Sequence, residues 1–256
     1  MELLGRDFRA GLRHALYRPY NPAGLKAAIF IFIFLVFTHQ VILGGLITAG
    51  IAALGASDFA TFQSGIMRGG LLSLFPAGLL SVLFAWVLAR RRGADPREVL
   101  ALRFPALGLL GWLAVIVGFV ALIYGIAIFL VWLLGVVDTG LVEQALMQLD
   151  NDPLYILIIA GIVLGGPLAE EFIFRGQIFA ALSQTRIGYI GSAIVTSAVW
   201  AALHITEPLH FVGVIFLMGL VLSWLLVRFG SLWVTIACHV TWNAGSAILL
   251  SSMAPK

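Results

Sequence analysis

The sequence predicts an all-α, polytopic membrane helix bundle with about seven transmembrane helices, eight being the alternative. Three observations predict it. The 256-residue chain is 61% hydrophobic and only 11% charged, whereas globular proteins are nearer half apolar and a quarter charged. Its mean hydropathy is +1.07. Its apolar runs recur at the length of about 20 residues that a hydrocarbon core demands. A soluble domain of this size could not bury so much apolar surface, so soluble folds, nucleic-acid binders and disordered chains are excluded. The net charge of +3 is instead read as the basic excess of cytoplasmic loops.

The elements follow in order. Residues 1–26 carry Arg6, Arg9, Arg13, Arg18 and Lys26, with Leu4, Phe8, Leu12 and Leu16 at helical spacing. They predict a basic amphipathic segment over 2–17 lying on the inner membrane surface, not a cleaved signal. Apolar spans are expected at about 27–54, 70–89, 106–137, 154–183, 188–206, 209–228 and 231–250. The charges give the orientation. With the N-terminus inside, Arg90, Arg91, Arg92, Arg97, Arg103, Arg186 and Arg228 all fall on the inner side, and the outer side keeps only Arg68 and Lys256. A multi-pass protein of a bacterial inner membrane, with a cytoplasmic N-terminus, is expected. The organisation expected is an N-terminal segment 1–26, supporting helices over 27–150 and a core carrying the chemistry over 151–256.

The chain has twelve carboxylates, and all but two fall in proposed loops or at the termini. The exceptions are Glu170 and Glu171, in LeuAlaGluGluPheIlePheArgGly at 168–176. Each unpaired ion at a helix centre costs roughly 2.5–3.5 kcal/mol, so these two and Arg175 need partners and a reason to persist. Glu171 and Arg175 stand at i and i+4 in the favourable order for an ion pair. Glu170 points about 100° away and faces something else. Gly165–Gly166–Pro167 just before it predicts a broken helix restarting near Glu170. Gly161 and Gly165 are spaced for a close helix contact.

His204, and His239 with Asn243 at i+4, lie in later spans. Counted at 1.5 Å per residue from the inner span ends, Glu170 lies roughly 20 Å deep, His204 about 24 Å, His239 about 12 Å and Asn243 about 18 Å. Three helices therefore bring these groups towards one layer. A carboxylate, two imidazoles and an amide above a Glu–Arg pair suit hydrolysis by an activated water. Glu170, His204 and His239 are equally normal zinc ligands, although no HExxH arrangement is present. The alternatives are an inert packing network, or a non-catalytic binding, immunity or transport protein using the same polar cluster. Cys238 adjoins His239 in sequence and so faces elsewhere on the helix; a packed small residue is expected there. His39 is expected to bond between helices, and Glu207 and His210 to serve a turn.

Glu170–Glu171 to Arg175, then His204, then His239 with Asn243 resemble, in order, the EExxxR, FxxxH and HxxxN motifs of the CPBP family, the CAAX prenyl proteases and bacteriocin-processing intramembrane proteases. The resemblance covers roughly residues 150–250. It departs at Trp200, where the motif has Phe. It implies an endopeptidase acting on a membrane-associated substrate, of CAAX type in the best-known members. Glu170 and His204 would activate water, His239 and Asn243 would stabilise the oxyanion, and Glu171 with Arg175 would hold the site. Metal dependence stays open: three candidate ligands without dedicated spacing favour a metal-free site, and Zn2+ is the metal expected should one be used. The expected partners are membrane lipids and a peptide or lipidated protein, and no nucleic acid.

Overall fold

The computed structural model describes residues 15–39, 44–55, 59–135 and 152–253, which are helical apart from short connections. Helices are the natural outcome for an apolar chain in lipid, because they satisfy every backbone polar group internally. The helices are α1 (Gly24–Phe37), α2 (Gly44–Gly55), α3 (Phe59–Ala89), α4 (Leu109–Leu134), α5 (Tyr155–Ser183), α6 (Gly188–Ala202), α7 (Leu209–Phe229) and α8 (Leu232–Met253). Among the described residues, five helices are long and apolar enough to cross a membrane, within α3, α4, α5, α7 and α8. The chain is an integral membrane protein.

Several expectations change. The expected span at 27–54 is described as two helices, α1 and α2, and residues 40–43 between them lie outside the described residues. Helix α3 starts at Phe59, well before the expected residue 70, so Arg68 is helical. There it forms an ion pair with Asp152 at the head of α5, and its second nitrogen bonds the same carboxylate at 3.2 Å. That pairing holds the Asp152 carboxyl below the usual carboxylate range. The expected amphipathic segment at 2–17 falls mostly on residues 1–14, outside the described residues, and Ala15–Asn21 is not helical. This stretch straps the start of α6 to the end of α7. The Leu16 and Tyr17 amides both donate to Val227 O, at 3.1 and 3.2 Å, and the Tyr17 ring packs against the stacked rings of Phe179 and Tyr189.

Helix α5 is the centre of the bundle. Glu171–Ala181 is buried throughout, while α4 turns Leu110, Val117, Ile128 and Trp132 outwards. A helix buried on all sides is a core element, and here it carries the charged residues. Its partner α3 comes to backbone contact. A Cβ on Gly165 would collide with the Leu74 carbonyl and stand 2.7 Å from Phe75 Cα, and one on Gly78 would collide with Gly165. Gly161 faces the same turn of α3, so the small-residue spacing in α5 is a helix contact.

The predicted break at Gly165–Pro167 does not occur. Helix α5 runs continuously through it, using a wide turn over Gly161–Gly165 in which Gly166 N–H bonds Gly161 O, one residue further back than in an α-helix. A second wide turn covers Glu171–Ile178. Glu170 is therefore mid-helix, and no positive helix end acts on it.

Gly165→Val should destabilise the protein by roughly 3 kcal/mol or more, because the clash is with another helix's backbone. Gly118→Ala, which meets nothing within 4 Å, should stay within about 0.5 kcal/mol. Thermal unfolding of the two variants in detergent checks the contrast.

Candidate active site

The site is built outwards from α5. Glu171 and Arg175 are fully buried and bonded at 3.0 Å. The ion pair is locked from three sides. Arg175 reaches Gly219 O on α7 at 3.4 Å. Its guanidinium lies over the Trp200 ring of α6, 4.5 Å from the centroid, and a desolvated contact of this kind is worth about 2 kcal/mol. Glu171 Oε1 also accepts from His239 Nδ1 of α8 at 3.0 Å. One buried pair thus ties α5 to α6, α7 and α8.

Glu170, one residue earlier, leaves this network and turns to a half-open space. Its Oε2 accepts the Trp200 indole N–H at 2.9 Å. His239 Nε2 stands 3.7 Å from Oε2, and His204 Nε2 stands 3.9 Å from Oε1. The Glu170 and His204 side chains are 21% and 31% exposed, and that of His239 3%. The open side of the site is therefore at Glu170 and His204. His204 lies in the turn just beyond α6, not inside the span as expected. Its Nδ1 meets Trp200 O at 2.9 Å, which serves a carbonyl at the helix end.

The partners assign both tautomers. A carbonyl and a carboxylate can only accept, so His204 Nδ1 and His239 Nδ1 each carry the hydrogen. In their neutral forms both rings turn an Nε2 lone pair towards Glu170. The separations exceed hydrogen-bond length and suit a bridging water. Edge-on contacts of Trp200 with His204 and His239, at 5.7 and 5.3 Å between centroids, fix the ring planes.

Asn243 sits apart from this convergence. Its Nδ2 donates to Ile162 O at 2.8 Å. Pro167 has no N–H, and Gly166 N–H is taken by Gly161 O, so Ile162 O lacks a donor along its own helix. Asn243 supplies one from α8, and its amide carries a second hydrogen that this bond does not use. The structure thus brings Glu170, His204 and His239 together, seats Glu171 and Arg175 beneath them, and ties Asn243 to the neighbouring turn of α5. The spacing did not reveal Trp200 as a polar partner. The departure from Phe at that position carries the signal, since an indole adds an N–H that a phenyl ring lacks. Cys238 is buried as expected, and His39 bonds Ser81 on α3 at 3.0 Å.

Arg175→Met and Glu171→Leu should each destabilise the fold by about 3–5 kcal/mol, because each strands a buried charge. The double variant should lose less than the worse single variant, as measured by denaturation in detergent. A second cycle pairs Asn243→Leu with Pro167→Ala. The proline variant restores a backbone N–H, so the pair should couple by about 1 kcal/mol.

No curated protein and no solved structure matches this chain. Its residues 152–245 match the family described as type II CAAX prenyl endopeptidase Rce1-like. That stretch contains the buried ion pair, the Trp200 clamp and the three converging groups, and it begins at the Asp152 that Arg68 holds. Over residues 152–245 the chain is accordingly similar to the type II CAAX prenyl endopeptidase Rce1-like family.

Proposed function

We propose that the protein is an intramembrane endopeptidase that hydrolyses a peptide bond of a membrane-associated substrate with a water activated by Glu170 and His204. The observation that carries this reading is the convergence of the Glu170 carboxylate with two imidazole Nε2 atoms, at 3.7 and 3.9 Å. The Rce1-like match over residues 152–245 supports CAAX-type endopeptidase chemistry. In this reading the catalytic core is 151–256, and the helices of 27–150 brace α5.

The attacking water is held between Glu170 Oε1 and His204 Nε2. Glu170 Oε1 takes its proton while Oε2 stays engaged by the Trp200 N–H, which holds the carboxylate in one orientation. Attack on the carbonyl carbon gives a tetrahedral oxyanion. Asn243, whose second amide hydrogen is not used by Ile162 O, donates to it, and so does His239 Nε2 when the ring enters the cycle already protonated from solvent, a proton it keeps throughout. The carbon–nitrogen bond then breaks, and the proton collected by Glu170 passes to the leaving amine. Glu171 and Arg175 act as positioning residues.

Glu170, His204 and His239 are of the residue types that zinc takes, and a metal held by them would supply Lewis-acid activation of water. Among the described residues, however, no group of three is arranged to hold a metal ion. The partners we propose are membrane lipids and a peptide or lipidated protein substrate, and no nucleic acid. The location we propose is a bacterial inner membrane with the N-terminus cytoplasmic, because the arginines of 90–103 gather at one end of the bundle.

Glu170→Gln should lower kcat by about a thousandfold or more while leaving thermal stability in detergent near that of the wild type. Comparing C-terminal peptides from membranes holding wild-type and Glu170→Ala protein identifies the substrate in the same experiment. Unchanged cleavage by purified Glu170→Gln removes the reading.

A further inference from the structure

Hydrolysis below the membrane surface needs a supply of water, and the supporting helices form a half-open cavity of about 300 Å³. It lies between α2, the following half of α3 and His39, away from His204 and His239. Gly44 and Gly70 open the space, and Thr48, Ser73 and His39 put polar groups on its wall. At about 30 Å³ per water the volume corresponds to roughly ten molecules. Cavities lined only by hydrocarbon stay dry, whereas polar partners retain water. Here Ser73 Oγ donates to Gly70 O at 2.7 Å, which leaves its lone pairs available to accept.

The cavity runs from the level of Ile66 to that of Ala77 on α3, about 16 Å along the helix axis. At the end nearer Glu170 stands His39, buried and bonded through Nδ1 to Ser81 Oγ at 3.0 Å. The close contact of Gly78 with Gly165 registers α3 against α5. Ser81 lies one turn beyond Gly78, and Glu170 five residues beyond Gly165, so the two differ in depth by roughly 3 Å. The Glu170 carboxylate is within electrostatic reach of the His39 ring.

We propose that this cavity is a water-holding passage that feeds the attacking water to Glu170, with His39 handing it on at the inner end. The proposal rests on the hydrolase reading of Glu170. The cavity is lined by His39, α2 and α3 and by no residue of α5, so His39 is its link to Glu170, while the imidazoles and Trp200 occupy the α6 and α8 side. A peptide engaging His204 and His239 therefore leaves the supply open. Hydroxyls and an imidazole that would be costly as lipid-facing groups acquire a purpose as a hydrogen-bonding lining.

Two measurements test the proposal. In a Cys238→Ala background, Ser73→Cys is treated in membranes with a small, positively charged methanethiosulfonate, which reacts with the thiolate present only in water. Val117→Cys, on the outward face of α4, is the control. Ser73→Cys should react about tenfold faster or more than Val117→Cys; equal, negligible rates overturn the proposal. The second measurement fills the cavity with Gly70→Leu, a position whose Cβ meets only Thr48 at 3.9 Å. It should lower kcat about tenfold with KM and thermal stability unchanged. Thr48→Phe fills the space from α2 and serves if Gly70→Leu does not fold. Wild-type kcat in a filled, folded variant overturns the supply role even if Ser73→Cys reacts. A wild-type protein without hydrolytic activity overturns the parent reading instead, and the labelling comparison still decides whether the cavity is wet.

Discussion

The bond between Glu171 and Arg175 is the constraint on which the arrangement turns. Two full charges in a water-free interior cost several kcal/mol each before any attraction is counted. Each has further partners that offset the cost: His239 for the carboxylate, and Gly219 O and the Trp200 ring for the guanidinium. Those partners come from α6, α7 and α8, so satisfying one ion pair dictates where three other helices stand. Lipid supplies no hydrophobic force between helices, and packing and polar contacts must hold the bundle. The network does this at the one level where function needs precision.

Adjacent carboxylates consequently do different work. Glu171 faces inwards and is consumed by structure, while Glu170, a step of about 100° around the helix, keeps an open side. Trp200 links the two environments, since its face carries the Arg175 cation and its edge donates to Glu170. A cation above the ring makes the indole hydrogen a better donor, so the buried charge reaches the exposed carboxylate through an aromatic side chain.

Much of this was legible in the sequence because charges in a hydrocarbon setting are expensive and therefore informative. The Glu171–Arg175 pair, the outward turn of Glu170 and the approach of His204 and His239 follow from spacing and helix rise alone. The wide turn at Gly161–Gly165 was not legible. A Gly-Gly-Pro triplet reads as a break unless a donor 81 residues away is known to satisfy Ile162 O, and no local pattern carries that. The packing faces of α4 were hidden for another reason: a helix apolar all round gives no periodic signal to separate lipid from protein. The arginine at 68 looked like a loop residue because its partner, Asp152, lies at the head of a distant helix.

Wide turns have one further consequence. Each holds a residue more than the α-helical ladder would, and α5 has two of them, one before the acidic doublet and one that begins at Glu171. Were the first to tighten to ordinary winding with every residue kept, everything after it would swing by about 100°, turning Glu170 away from the imidazoles and carrying the guanidinium of Arg175 out of the core. Loss of one amino acid within the turn would instead remove the surplus and leave the doublet facing as it does. The stretch between Gly161 and Glu170 should consequently accept the loss of one residue far better than the gain of one.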